Sequence, residues 1–477
     1  MRKVLVSICF LLCAFILKAQ GPEVIVPVPE KYVLSEGTYT FEGVPRVDAR
    51  IVPSRFDGRE DYSLEVNSRG VVIRAGGEAG LFYARQTLAQ MTSDGAVTEI
   101  RCCRIEDSPR YAYRGLHVDV SRHFRSVDFL KKQMDAMAFF KMNRMHLHLT
   151  DAAGWRLEIE AYPRLTRFAA WRPEALWKSW WNGGRQYADE GTEGVYGGYY
   201  TKEDIAELVS YAAERHIELI PEIEMPSHSE EVLAAYPELG CTGEAYRDSD
   251  FCVGNEDVFT FLETVLTEVM EMFPSEYIHI GGDEAGKEHW KTCPKCLRRM
   301  QDEDIADVDG LQSYMIRRIG NFIASKGRKM IGWDEILQGG LAPGAVVMSW
   351  RGTEGGIEAM SQGHDVIMTP GRYCYLDHAQ DAPFREPESI GGYLPLDSVY
   401  VYEPVEARMP QDRIHHILGL QANLWSEYIP DDAHAEYMYW PRAFAIAETA
   451  WSVPERKNLQ DFRKRTMNIL ELMRRRG

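Results

Sequence analysis

Tyr-Ile-His-Ile-Gly-Gly-Asp-Glu-Ala-Gly, residues 277–286, runs from a short apolar strand through a glycine pair into two adjacent carboxylates. Gly281 and Gly282 carry no side chains, which permits a tight turn and close approach of a ligand. Asp283 and Glu284 follow at once. The same unit, a short apolar strand that ends on polar or aromatic residues, recurs on both sides of this segment. Strands are read at Gly115–Val120, Arg144–Leu149, Glu218–Ile223, Tyr277–Ile280, Lys329–Ile331, Ala345–Ser349, Asp365–Met368 and Ile417–Gln421. Amphipathic helices such as Lys202–Arg215, Val258–Met272 and Leu311–Ser325 fall between them. Strands alternating with helices signal βα units and a parallel sheet. Eight strands over about 360 residues fit an α/β fold, a (β/α)8 TIM barrel with long loops.

In that fold the functional residues stand at the C-terminal ends of the strands. The second strand is followed by His148 and Asp151, the third by Glu222, Glu224 and His228, and the fourth by Asp283 and Glu284. Trp333, Asp334 and Glu335 follow the fifth, Trp350 the sixth, Tyr375 and Asp377 the seventh, and Trp425 and Glu427 the eighth. A folding core has no reason to place an acid or a tryptophan after nearly every strand. Crowding Asp283 against Glu284 where water is excluded is expected to raise at least one pKa, a state suited to a general acid near neutral pH. The bland alternative for this pair is a helix cap and a first-turn acid.

Ahead of the barrel, "YSLEV" and "GVVIRAG" read as strands and Gly80 to Met91 as a helix, forming a small α+β domain without a cluster of reactive groups. Arg2 and Lys3 precede an apolar run, Val4 to Leu17, and Ala19 stands before a plausible cleavage point, the pattern of an export signal. The reading is therefore a signal peptide at 1–20, the N-terminal domain at 21–108 and the catalytic barrel at 109–477, in a chain expected to be periplasmic or secreted, with no stable membrane insertion. The net charge of −18 argues against nucleic acid or an anionic membrane as partner. Many of the 11 tryptophans fall in loop-like segments, where their faces could stack on sugar rings.

Seven cysteines follow the signal segment. Cys241 and Cys252 bracket a polar loop and form the best disulfide candidate, pairing being permitted in an exported protein. Cys293-Pro-Lys-Cys296 is a lone CxxC; zinc would need two further ligands at suitable spacing, and none is evident nearby. No metal and no organic cofactor is expected.

The chain resembles glycoside hydrolase family 20, the β-N-acetylhexosaminidases, over nearly its whole mature length. The resemblance rests on an ordered set: "YRGLHVDVSRHF" from Tyr113, "NRMHLHLTDAAGWRLEI" from Asn143, "GGYYTKEDIAELVSYAAERHIELIPEIEMPSH" from Gly197, "HIGGDE" from His279, then "IGWDEIL", "VMSWRG", "YLDH" and "QANLWSE". It implies exo-acting, retaining hydrolysis of terminal β-linked N-acetylhexosamine, with the substrate's own acetamido oxygen as nucleophile. Glu284 would protonate the leaving oxygen and later deprotonate water. Asp283 would hold the acetamido N–H, and Tyr375 the acetamido oxygen. Trp333, Trp350 and Trp425 would wall the sugar, while Arg114, Asp377 and Glu427 would bind its hydroxyls. His228 and Asp151 would form a relay that tunes the acid. His148, Glu222 and Glu224 are read as supporting hydrogen-bond partners, and His117, His123 and His146 as structural. Ala152-Ala153 stands where many relatives carry an acid and Gln, and Ser227 where Gly is common. Two other readings remain at this stage: a non-catalytic glycan-binding barrel, and a conventional retaining glycosidase whose own carboxylate is the nucleophile.

Overall fold

The computed structural model describes residues 21–92 and 97–476; the expected signal segment lies outside the described residues. The first domain is a five-stranded sheet in the order β1-β5-β3-β4-β2. Its strands are β1 Lys31–Glu42, β2 Val47–Ile51, β3 Tyr62–Asn67, β4 Gly70–Ala75 and β5 Val97–Asp107. β3 alternates strictly, Tyr62, Leu64 and Val66 facing inward, so one face of the sheet is apolar. Helix Glu78–Met91 covers that face with Tyr83, Ala84, Leu88 and Met91.

The second unit is a closed, all-parallel barrel of eight strands. They are β6 Tyr113–Asp119, β7 Arg144–His148, β10 Glu218–Met225, β11 Tyr277–Gly281, β12 Lys329–Trp333, β13 Val346–Ser349, β14 Val366–Met368 and β15 Ile417–Ala422, with β15 returning to pair with β6. A two-stranded hairpin, β8 Trp171–Arg172 and β9 Tyr196–Gly197, decorates the long connection after β7. Each barrel strand lies within a few residues of its sequence reading. The register sets Glu222 of β10 beside both His148 of β7 and His279 of β11, which puts one acid and two imidazoles at one level of the barrel.

The two units share a buried seam at the end of the barrel where the strands begin. Trp451, at the end of helix Arg442–Trp451, belongs to the core of the first domain. Its indole N–H and the Tyr62 hydroxyl both donate to Asp107, at 2.9 and 2.6 Å. Lys141, fully buried, completes the group with a 2.8 Å ion pair to Asp107. Beside it, Arg114 at the start of β6 pairs with Glu60 of the first domain at 2.6 Å and donates to Tyr83. The first domain thus braces the floor of the barrel and leaves the opposite mouth free.

The cysteines depart from the sequence reading. Cys241 and Cys252 are not joined; both are free thiols. They meet Cys293 and Cys296 instead, in a cluster whose four sulfurs lie within 4.8 Å of one another. The ligands the CxxC lacked in sequence are supplied from the preceding βα loop.

Removing one partner of a buried ion pair leaves an uncompensated charge, typically a loss of about 3–5 kcal/mol. Lys141→Met should therefore lower the urea midpoint by a corresponding amount, without altering the pocket at the other end of the barrel. Equilibrium denaturation followed by tryptophan fluorescence measures this.

Candidate active site

The pocket is organised from below by Glu222. Its carboxylate accepts from the Trp333 indole N–H at 2.8 Å and meets Nδ1 of His148 at 2.5 Å, Nε2 of His146 at 3.1 Å and Nδ1 of His279 at 2.9 Å. All five side chains are buried. Burial alone would raise the pKa of Glu222, but the surrounding imidazoles, His279 and His148 foremost, hold it well below the usual carboxylate range. His148 responds in kind: burial disfavours its charge, yet Glu222 and Asp151 outweigh burial and raise its pKa to about 10.

From this base a line of polar contacts climbs to the surface. His148 Nε2 meets Asp151 at 3.3 Å, and Asp151 meets Nδ1 of His228 at 3.4 Å. The other nitrogen of His228, Nε2, faces both acids of the β11 turn, Asp283 at 3.5 Å and Glu284 at 3.4 Å. Burial works against charging His228, but Asp151, Asp283 and Glu284 together lift its pKa well above normal. His228 and Glu284 both adopt left-handed backbone angles, φ +53° and +50°. Such conformations are uncommon for side-chain-bearing residues and gather at functional sites.

Glu284 does not show the rise that crowding two acids would give it. It is exposed at the rim, and contact with His228 is the largest influence on it and holds its pKa below the ordinary value. The raised acids are its neighbours. Glu224, buried with both carboxylate oxygens free of hydrogen bonds among the described residues, is pushed well up by burial and by the charges of Asp283 and Glu222. Glu335 rises to about 8 through burial and Asp283, and Asp377 to about 8 through burial and Glu427. The Gly281-Gly282 pair also has a cause beyond the turn. A Cβ on Gly281, at φ +67°, would fall 1.8 Å from the Glu224 carboxylate, so glycine is what lets Glu224 pass under the turn.

Ten of the eleven residues singled out in the sequence converge on one cavity of about 420 Å³ at the mouth of the barrel. Asp151, His228, Asp283 and Glu284 form one side. Trp333, Trp350 and Trp425 form apolar walls, with the Tyr375 ring 6.0 Å from that of Trp350 and nearly parallel to it. Asp377 and Glu427 also line it, and each has a buried oxygen without a hydrogen bond among the described residues. His148 and Glu224 also reach the cavity; Glu222 stays beneath it.

Arg114 is the exception, and its assignment to the sugar is corrected. It lies at the start of β6, fully buried in the seam with Glu60, at the wrong end of the barrel. The arginine that lines the pocket is Arg122, just beyond the end of β6. It reaches Asp151 at 2.6 Å, Asp119 at 3.2 Å and Glu427 at 3.7 Å, and its guanidinium stands 5.1 Å from the Trp425 ring centre. The signal was present in "VDVSRHF", since position after the strand, not before it, marks the functional face. His378, also at the rim, closes the quoted "YLDH" motif beside Asp377, so its signal was present as well; the Ile390–Gly392 loop carries none because it comes from a long excursion after β14. Ala152 and Ala153 are buried under Trp180 and Tyr187, so aromatic side chains fill that part of the loop.

Among the described residues, three groups besides the cysteines have a donor set that could hold a metal: His117 with His148 and Glu222, His146 with Glu222 and His279, and His228 with Asp283 and Glu284. The first two are buried networks built around Glu222, and the third is the carboxylate–imidazole contact described above.

Comparison with known proteins places this architecture. The model of the glycosyl hydrolase family 20 catalytic domain matches residues 111–454, and that of domain 2 of the family matches residues 25–108. The chain belongs to glycosyl hydrolase family 20. A β-hexosaminidase of Porphyromonas gingivalis is 43% identical over 426 residues, covering 86% of this chain and 53% of that protein, so the chain spans about half the relative's length. A β-hexosaminidase of Akkermansia muciniphila is 35% identical over 422 residues, covering 85% of this chain and 82% of that one. The crystal structure of an exo-β-N-acetylglucosaminidase of Vibrio harveyi with N-acetylglucosamine superimposes with a TM-score of 0.85 at 29% identity, covering 95% of this chain and 77% of that one.

The raised pKa of Asp377 has a consequence for stability. A carboxyl whose pKa moves from 3.8 unfolded to about 8 folded binds its proton more tightly in the native state. Its contribution is therefore full at low pH and is lost as pH rises from 3.8 towards about 8, by up to about 1.4 kcal/mol per pH unit within that window. Asp377→Asn should abolish this component. The variant's unfolding free energy should gain on the parent's steadily across the window, as urea titrations at a series of pH values would record.

Proposed function

We propose that the protein is an exo-acting β-N-acetylhexosaminidase that retains the β-configuration and uses the substrate's acetamido group as nucleophile. The observation that carries this reading is the placement of Asp283 and Glu284. Both reach the same nitrogen of His228, at 3.5 and 3.4 Å, at the edge of a cavity walled by tryptophans. A conventional retaining enzyme needs carboxylates across the anomeric carbon from each other, about 5–5.5 Å apart; adjacent residues whose carboxylates share one imidazole are poorly placed to flank one atom. That arrangement suits one proton donor and one group that holds the acetamido nitrogen.

In the empty pocket the proton shared along this line rests on His228, and Glu284 is the anion. Entry of the sugar excludes water, and the proton passes to Glu284, which delivers it to the glycosidic oxygen. As that bond breaks, the acetamido oxygen closes on the anomeric carbon. Asp283 accepts from the acetamido N–H and balances the cationic oxazolinium, while the Tyr375 hydroxyl donates to the acetamido oxygen. Water then opens the ring from the opposite side, losing a proton to Glu284. Two inversions give net retention. Arg122, Asp377 and Glu427 meet the hydroxyls at the closed end of the pocket, which favours cleavage from a chain terminus. The names of the similar proteins support release of N-acetylhexosamine as the activity.

We further propose that the chain is exported. The support is the basic start at Arg2-Lys3, the apolar run from Val4 to Leu17 and the small residue Ala19.

The primary test is a pair of chromogenic substrates: the β-N-acetylglucosaminide should be cleaved and the plain β-glucoside left intact. Cleavage of neither would favour a glycan-binding barrel, and a covalent adduct from a 2-fluoro glycoside would favour an enzyme nucleophile. Glu284→Gln should lose roughly 10²–10⁴-fold in kcat, the usual worth of general acid–base help. The loss should shrink for a dinitrophenyl leaving group that needs no proton, a comparison made by steady-state kinetics.

The two arginines should separate in the same assay. Arg122→Met should lower kcat/KM by roughly 10–100-fold, since a hydrogen bond to a charged group is worth about 1.5–3 kcal/mol. Arg114→Met should spare kcat/KM and lower the melting temperature instead.

A further inference from the structure

Four thiols converge behind the active pocket from two separate loops. Cys241 and Cys252 belong to the excursion after β10, where a bridge between Gly240 and Phe251 brings the two cysteines side by side. Cys293 precedes helix Pro294–Asp302 and Cys296 lies in its first turn. Gly254 seats one loop on the other: a Cβ there would stand 2.1 Å from the carbonyl carbon of Lys295 and 2.3 Å from the nitrogen of Cys296. Cys252, Cys293 and Cys296 are buried, and Cys241 is partly so.

The spacing of the sulfurs discriminates between the states such a cluster could adopt. Cys241 to Cys296, Cys296 to Cys252 and Cys252 to Cys293 are each 3.7 Å. Cys252 and Cys296 therefore each stand equally far from two neighbours, and no sulfur is drawn to a single mate as a disulfide at about 2.0 Å requires. A tetrahedron of thiolates around zinc, with Zn–S of about 2.3 Å, has edges of about 3.8 Å. The cluster has the ligand number and ligand type of that tetrahedron and, in three of its six edges, its length, with the remaining sulfurs within 4.8 Å.

We propose that Cys241, Cys252, Cys293 and Cys296 bind one structural zinc ion. Binding displaces the four thiol protons and leaves a closed site with no open position for substrate or water. Its role is to tie the loop after β10 to the loop after β11. The same loops are already knit by the Lys287 N–H donating to Asp250 at 2.8 Å and by the Trp290 indole donating to the Phe251 carbonyl at 2.9 Å. Glu284 stands in the β11 loop between the barrel and these contacts, so the metal would fix the segment that carries the proton donor. This inference does not depend on the substrate assigned above.

The test is elemental analysis of the full chain, isolated under non-reducing conditions without added metal. One zinc per chain should survive dialysis and be released as a mercurial reagent titrates four thiols. Cobalt put in its place should show the intense thiolate charge-transfer and tetrahedral ligand-field bands. Cys252→Ser and Cys296→Ser should lose the bound zinc and melt at lower temperature, whereas Cys102→Ser, in the first domain, should keep it. Should the serine variants fail to fold, the cobalt spectrum of the parent decides. Absence of metal, iron in place of zinc, disulfides among these four cysteines in a peptide map, or zinc retained by Cys252→Ser would each overturn the assignment.

Discussion

One buried carboxylate, Glu222, fixes the geometry on which the pocket depends. An unpaired charge inside a barrel is very costly, and Glu222 is tolerated because His146, His148, His279 and Trp333 all turn their N–H groups or ring nitrogens towards it. That requirement has structural effects in several directions. It orients the Trp333 ring at the base of the cavity. It selects the charged state of His148, which then faces Asp151, which faces His228, which faces the acid pair. The state of Glu284 is set chiefly by its direct contact with His228, and Glu222 anchors the foot of the line that holds that imidazole. The β-ladder supports this directly, since Glu222 stands in register with His148 on one side and His279 on the other.

The barrel was legible because its strands are short, apolar and bounded, and because parallel strands covered on both faces read as continuous hydrophobic runs. The site was legible for the same reason, since the residues after each strand must share one face. The misplaced arginine shows the limit of motif matching against this rule. Arg114 and Arg122 are eight positions apart in one quoted motif, and β6 lies between them, so they end at opposite ends of the barrel. Strand polarity alone selects Arg122. The cysteines failed for a different reason. Helix Glu256–Met272 and β11 separate Cys252 from Cys293 in the chain, and only the return of both loops to the mouth of the barrel brings them together. Spacing in sequence holds no record of that.

The acid pair is a third case. Adjacent carboxylates were expected to repel and so to raise a pKa, which holds when nothing cationic intervenes. Here His228 stands against both, and the acids that rise are more deeply placed neighbours, Glu224 and Glu335, raised first by burial and then by the charge of Asp283. A sequence shows which acids are neighbours along the chain. It does not show which of them shares an imidazole, and that is what decides the sign.

The distribution of protons that results fits a neutral ligand. The cavity is lined by more carboxyls than cations, with His228 facing Asp151, Asp283 and Glu284 and with Arg122 shared among Asp151, Asp119 and, at 3.7 Å, Glu427. Asp377 and Glu427 have raised pKa values and each a buried oxygen without a hydrogen bond among the described residues. A carboxyl in that state can donate as well as accept, and a sugar hydroxyl does both. Under the proposed function, the unsatisfied end of the pocket is where hydroxyls would replace lost water, while the compensated end is where charge must develop. Both groups line one cavity of about 420 Å³, and the imidazoles of the Glu222 line stop at Asp283 and Glu284.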